Sequence, residues 1–222
     1  MVGAGAVWGV DRYAAPVPGR AGIERVVHDY ILAHPEIIPQ AMQALQSRES
    51  GKAVAANRDA ITTPFAGAWA GNPRGDVTLV EFYDYNCGYC RASLPMIADL
   101  LKRDPNLRVV YRELPILAPT SRAAARASLA AAQQGRFAAF HDALYAAGPV
   151  SDTTIAAAAA KTGVALPAAN TPALDQEIAS NMEVAAKLGV TGTPTWVIGD
   201  QMLAGALPVA DLEKAIAAAR AR

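Results

Sequence analysis

The sequence predicts an α/β fold in which a β-α-β unit is followed by a block of helices and then by a β-β-α unit. Three observations carry that reading. Two short apolar runs rich in β-branched residues, Val77 to Tyr83 and Leu107 to Leu114, flank a helical stretch. Alanine-rich helical runs fill residues 118–188 with no convincing strand among them. Strand signals return at Thr195 to Ile198, and a last helical pattern closes the chain.

The 222 residues suffice for one substantial core plus an accessory segment. A hydrophobic fraction of 52% with 18% charged residues suits a folded chain rather than a disordered one. Twenty basic and twenty acidic residues cancel, so nothing electrostatic favours nucleic acid as a partner.

Taken in order, Met1 to Val10 is apolar but too short to span a bilayer, and it lacks the basic start of a signal peptide. Residues 1–22 read as a flexible terminus or the trimmed end of an export or anchor segment, with Pro16, Pro18, Gly19 and Gly22 forming a linker. From Ile23 the residues Val26, Val27, Tyr30 and Ile31 recur at helical spacing on one face. Pro35 interrupts that pattern, and Ile38, Met42 and Leu45 resume it, so residues 23–49 read as two short helices or one kinked helix. Residues 50–60, mostly polar or small, are expected to form a flexible linker, which leaves 61–222 as the main domain.

In that domain Val77 to Tyr83 reads as a buried strand. A helix runs from the cysteine motif to Lys102 and closes at Asp104-Pro105-Asn106, and Leu107 to Leu114 is the second strand. Strand, helix and strand in succession imply a right-handed parallel crossover. Helices are expected at 121–134, 136–147, 151–162 and 171–188, divided by Gly135, Gly148-Pro149 and the Gly163 to Pro167 region. Gly199-Asp200 is a turn signal, Met202 to Ala204 the paired strand, and Pro208 the start of a helix to Ala219.

The chain has two cysteines, and both lie in Cys87-Gly88-Tyr89-Cys90. Two cysteines spaced this way at a helix start can close a small disulfide ring. The first then sits where unpaired N–H groups and the helix dipole favour a thiolate, the species that attacks a disulfide. That makes Cys87 the expected nucleophile and Cys90, one turn inward, the thiol that resolves the mixed disulfide. Asn86 is the expected N-cap residue. Pro95 inside the helix frees the carbonyl of Arg91. The competing reading is a zinc site, but zinc takes about four ligands and there is no second cysteine pair. His28, His34 and His141 lack metal-ligand spacing and read as ordinary helix residues. A cysteine hydrolase would leave the second cysteine unexplained.

The run Val80-Glu81-Phe82-Tyr83-Asp84-Tyr85-Asn86-Cys87-Gly88-Tyr89-Cys90-Arg91, with Gly189-Val190-Thr191-Gly192-Thr193-Pro194-Thr195 far downstream, resembles the DsbA-like branch of the thioredoxin superfamily. Within it the chain looks most like the suppressor of copper sensitivity protein C (ScsC) group, which carries an N-terminal helical segment. The resemblance implies a thioredoxin fold with a helical insertion at about 118–188 and an N-terminal helical oligomerisation segment over 23–60. It also implies that Pro194 is a cis proline facing the cysteines and that Thr193 before it offers backbone groups to a substrate strand. The bland alternative is an ordinary trans proline at a strand start. Glu81 stands where the family has a buried acid, which would take the proton from Cys90; otherwise it is a partly exposed edge residue.

Gly88 and Tyr89 between the cysteines, and Thr193 before the proline, are similar to the isomerase pattern rather than to that of strong oxidases. The resemblance therefore implies a periplasmic protein disulfide isomerase acting on disulfide-containing proteins, kept reduced by a membrane thiol reductase. It also implies a homo-oligomer, with a trimer ahead of a dimer. Two alternatives stay open: a DsbA-like disulfide donor, and a copper-stress protein holding Cu(I) between the thiolates of Cys87 and Cys90. No other cofactor is expected.

Overall fold

The computed structural model describes residues 19–169 and 171–221, so the expectations for residues 1–18 lie outside the described residues. The chain divides between Gln46 and Ser47 into two compact units. The first contains α1 (Arg20–Ala33) and the start of α2 (Ile37–Ala56). Pro35 separates them, giving two helices rather than one kinked helix. The first begins three residues before Ile23, so Gly22 lies within it and not in a linker. α1 buries none of its residues, and Val26, Tyr30 and Met42 are all more than half exposed.

Residues 50–60 are not a flexible linker. α2 continues through them to Ala56, and α3 (Arg58–Thr62) follows after one residue. Ala53, Ala55 and Ala56 favour helix, and the apolar side chains are anchored. Val54 and Ile61, each 1% exposed, pack with Val80, Phe82, Val110 and Val197 against one face of the sheet.

The sheet has five strands in the order β1-β3-β2-β4-β5, from β1 (Trp69–Gly71), β2 (Val77–Tyr83), β3 (Leu107–Glu113), β4 (Thr195–Ile198) and β5 (Gln201–Ala204). β2 and β3 run parallel and are joined through α4 (Gly88–Arg103); the other pairs are antiparallel. β1 has no counterpart in the sequence reading, because three residues are too short to display a strand period. Between β3 and β4 lie α5 (Ser121–Gln133), α6 (Phe137–Ala146), α7 (Asp152–Thr162) and α8 (Pro172–Leu188), and α9 (Val209–Arg220) ends the fold.

Parallel pairing sets Glu81 beside Tyr111 and Tyr83 beside Glu113. Side chains alternate across a strand, so these four share one face. That face meets Cys90 and Ile97 of α4, Phe137, Phe140 and Leu144 of α6, and Leu212 of α9 in the main core. The other face packs on Val54, Ile61 and, from α8, Val184 and Leu188. Arg112, 5% exposed, fastens this second layer. Its guanidinium donates to the carbonyl oxygens of Ile61 (3.0 Å), Ala60 and Thr63, and to Glu177 (2.9 Å) and Asn181 (3.0 Å) of α8. Among the described residues no helix is long and apolar enough to cross a membrane.

Candidate active site

β2 ends at Tyr83 and hands the chain through Asp84, Tyr85 and Asn86 to the first turn of α4. Cys87 itself is the N-cap: its backbone is extended and its sulfur accepts the N–H of Cys90 at 3.2 Å. Asn86 therefore does not cap the helix. One residue too early for that, its amide turns away and donates to the hydroxyls of Thr120 (3.1 Å) and Ser121 (2.9 Å). The Cys87 sulfur faces the unpaired N–H groups of a 16-residue helix, where the dipole favours an anion.

The same sulfur donates to the Thr193 carbonyl oxygen at 3.2 Å. The Thr193–Pro194 peptide is cis, and the Pro194 carbonyl accepts the N–H of Gly205 at 2.8 Å. The buried Thr193 hydroxyl has no partner among the described residues. Gly88 and Tyr89 are exposed on the first turn of α4, Tyr89 at 66%. Both cysteines are free thiols. They are the pair of soft donors at this site, and among the described residues no cluster of three His, Cys, Asp or Glu side chains is placed to hold a metal.

Cys90 is 1% exposed, and burial drives its thiol far above the usual range, with the Glu81 charge acting in the same direction. Glu81 is also buried, on the central strand β2 rather than at a sheet edge. Its carboxylate accepts the Ser93 hydroxyl at 3.3 Å. Burial raises its pKa well above the usual carboxylate value; the Ser93 bond opposes that rise, and charge on Cys87 adds to it. All seven residues singled out in the sequence occupy one end of the sheet around the Cys87 sulfur or the buried face beneath it.

Two features escape the sequence reading. Asp84, 1% exposed, accepts four hydrogen bonds through its carboxylate. His141 is not an ordinary helix residue: it is 3% exposed and stacked among Tyr83, Tyr85, Tyr111, Phe137 and Tyr145. Its Nδ1 lies 3.0 Å from the Tyr85 hydroxyl, and burial pushes its pKa down to about 3. The Tyr85 hydroxyl donates to Ser128 at 2.8 Å, and the Tyr83 hydroxyl donates to Glu113, whose pKa burial pushes up to about 8. A glutamate inside the apolar run Leu107 to Leu114 is the one local signal of that cluster; its partner Tyr83 comes from 30 residues away.

The family model of the DSBA-like thioredoxin domain matches residues 78–217. The chain belongs to the DSBA-like thioredoxin family. As a member it is a thiol–disulfide oxidoreductase of the DsbA/ScsC type, and its residues 20–50 match the N-terminal domain of the copper resistance protein ScsC. Among solved structures it is similar to a linker-deletion mutant of Proteus mirabilis ScsC, at 29% identity and TM-score 0.73 over 94% of this chain and 99% of that one. A thioredoxin-like oxidoreductase from Silicibacter pomeroyi DSS-3 is 41% identical, with TM-score 0.69 over 75% of this chain and 99% of that one. A periplasmic thioredoxin-like protein from Salmonella enterica serovar Typhimurium is 30% identical, with TM-score 0.69 over 74% and 96% of the two chains. Among curated proteins, the Na(+)/H(+) antiporter NhaA 1 of Salinispora arenicola is 31% identical over 64% of this chain, and the match spans 23% of that relative's length.

Proposed function

We propose that this DSBA-like protein is a periplasmic disulfide isomerase and reductase in which Cys87 attacks and Cys90 resolves. The N-cap position of the Cys87 sulfur supports its role as nucleophile. The burial of Cys90 supports a thiol that keeps its proton until Glu81 takes it. Thr193 and Pro194, together with the exposed Gly88 and Tyr89, would flank the bound substrate strand. The periplasmic assignment draws on the Salmonella relative described as periplasmic. A membrane thiol reductase would return Cys87 and Cys90 to the dithiol.

The observation that carries isomerase over disulfide donor is the N-terminal unit. It matches the ScsC N-terminal domain, and α1 buries none of its residues. An exposed apolar stripe on a helix is costly in water and gains by meeting copies of itself. Self-association, as a trimer in the first instance and a dimer in the second, would set several dithiols around one bound substrate.

The test is refolding of a scrambled multi-disulfide protein, run beside insulin reduction and light scattering on the same sample. Recovery by an oligomer supports an isomerase. Fast oxidation of a reduced substrate without recovery of the scrambled one makes the protein a disulfide donor instead. The match to a copper resistance family also supports Cu(I) binding by the reduced thiols. Retention of Cu(I) against a chelator by wild type but not by Cys87→Ser would establish that role, and equal loss from both would remove it.

A further inference from the structure

Asp84 lies where the turn before Cys87 meets the segment entering α5. Its Oδ1 accepts the N–H of Asn86 (2.8 Å) and the Ser121 hydroxyl (2.7 Å). Its Oδ2 accepts the N–H groups of Ile116 and Leu117, both at 2.9 Å. An ionised carboxylate accepts about four hydrogen bonds and donates none, so this donor set fills it. The main chain of the same residue reaches both cysteines. Its carbonyl oxygen accepts the Cys87 N–H at 2.9 Å and the Tyr145 hydroxyl at 3.1 Å. Burial drives the Cys90 thiol pKa up, and the Asp84 backbone opposes that rise.

The side chain thus ties the turn ahead of Cys87 to the segment entering α5, while the main chain beneath it holds the Cys87 N–H, and the Cys87 sulfur in turn accepts the N–H of Cys90. Ser121 reinforces the tie, since its hydroxyl oxygen also accepts from Asn86 Nδ2 (2.9 Å) and the Ala118 N–H (3.2 Å).

We propose that Asp84 is the positioning residue for the resolving step: it holds the Cys90 sulfur at attack distance from Cys87 once Cys87 is joined to substrate. This rests on the assignment of Cys87 as nucleophile and Cys90 as resolving thiol. In the step concerned, the Cys90 thiol gives its proton to the Glu81 carboxylate and its sulfur attacks the Cys87 sulfur. The Cys87–Cys90 bond forms, the bond from Cys87 to the substrate sulfur breaks, and substrate leaves as a thiolate. The protein dithiol is oxidised by two electrons and the substrate disulfide is reduced by two. An intramolecular attack of this kind is fast because the groups are held in place, and a small displacement is costly.

Asp84→Asn tests the idea. An amide keeps the shape but offers one acceptor oxygen and two N–H donors, so one pair of the four donors must face another donor. The expected result is a split. Formation of the mixed disulfide by Cys87 stays within about twofold of wild type, while its resolution slows about tenfold or more at every pH. The glutathione equilibrium also shifts by a similar factor toward the reduced protein, because a misplaced Cys90 closes the ring less readily. A merely structural role would lower the melting temperature and leave both the split and the equilibrium unmoved, and that outcome in folded protein overturns the proposal. Should Asp84→Asn not fold, Ser121→Ala removes one donor to Oδ1 and is expected to slow resolution about threefold; no slowing in that variant overturns the proposal equally. Cys90→Ser serves as the reference. If it fails to accumulate a mixed disulfide on Cys87, the underlying assignment of the two sulfurs is at fault rather than the role of Asp84.

Discussion

Glu81 and Glu113 are carboxyl groups on neighbouring strands, both 2% exposed, and their surroundings suit them to different tasks. Glu81 has Ser93 at 3.3 Å and senses the charge on Cys87, so its protonation is linked to the dithiol. Replacing it with Gln removes the proposed proton acceptor while keeping the shape. Resolution of the mixed disulfide in single-turnover kinetics is expected to slow by about 100-fold, with loss of its pH dependence. Burial raises the pKa of Glu113 from 4.5 to about 8, and the hydrogen bond from Tyr83 opposes that rise. An acid whose folded-state pKa is raised binds more protons folded than unfolded, so its contribution to stability is complete below about pH 4.5. That contribution is lost as pH rises toward 8. His141, pushed down to about 3, acts with the opposite slope: its contribution is complete above about pH 6.5 and is lost on acidification. Urea melts of Glu113→Gln between pH 5 and 8 are expected to show a flatter decline than wild type; parallel curves would mean that Glu113 is ionised throughout. At this scale the cysteines were legible because two residues in one short motif carry their own chemistry. Asp84, Glu113 and His141 were not, because their properties come from partners brought together by the fold.

The elements that position the site were legible where hydrophobic pattern and length agree. β2, α4 and β3 follow from two β-branched runs separated by a helical stretch, and the four helices of the insertion end at or near the glycines that divide them. Failures occurred where tertiary packing decides. β1 exists because three residues pair with β3, Trp69 opposite Val110, and no local signal marks it. Residues 50–60 look like a linker by composition, yet Val54 and Ile61 need the sheet to cover them, and that burial extends helix to Ala56. Arg112 joins the end of α3 and α8 to β3 with five hydrogen-bonding partners, so Arg112→Met is expected to leave Glu177, Asn181 and three backbone carbonyls without their donor. The cost is about 3 kcal/mol in denaturant unfolding, with the thiol chemistry on the other face of the sheet unchanged. A cost near zero would mean that the second layer is held by apolar packing alone.

For the whole molecule, the division between Gln46 and Ser47 leaves α1 in the first unit and the dithiol in the second. The second unit contains both cysteines, Glu81 and the cis Thr193–Pro194 peptide. A chain starting at Ser47 is therefore expected to keep insulin reductase activity while sedimenting as a monomer. Its recovery of scrambled substrate should fall to the level of a simple dithiol. Full isomerase activity in that monomer would detach the N-terminal helices from the function.

The proposed activity depends on thiol exchange through the Cys87 sulfur, and the most direct measurement is mass spectrometry of the covalent adduct trapped by Cys90→Ser with a disulfide-bonded peptide. The expected result is a stable one-to-one mixed disulfide at Cys87, absent from Cys87→Ser and discharged by wild type. An adduct that forms equally well on Cys90 in Cys87→Ser, or no adduct in either variant, would contradict the assignment of nucleophile and resolving thiol.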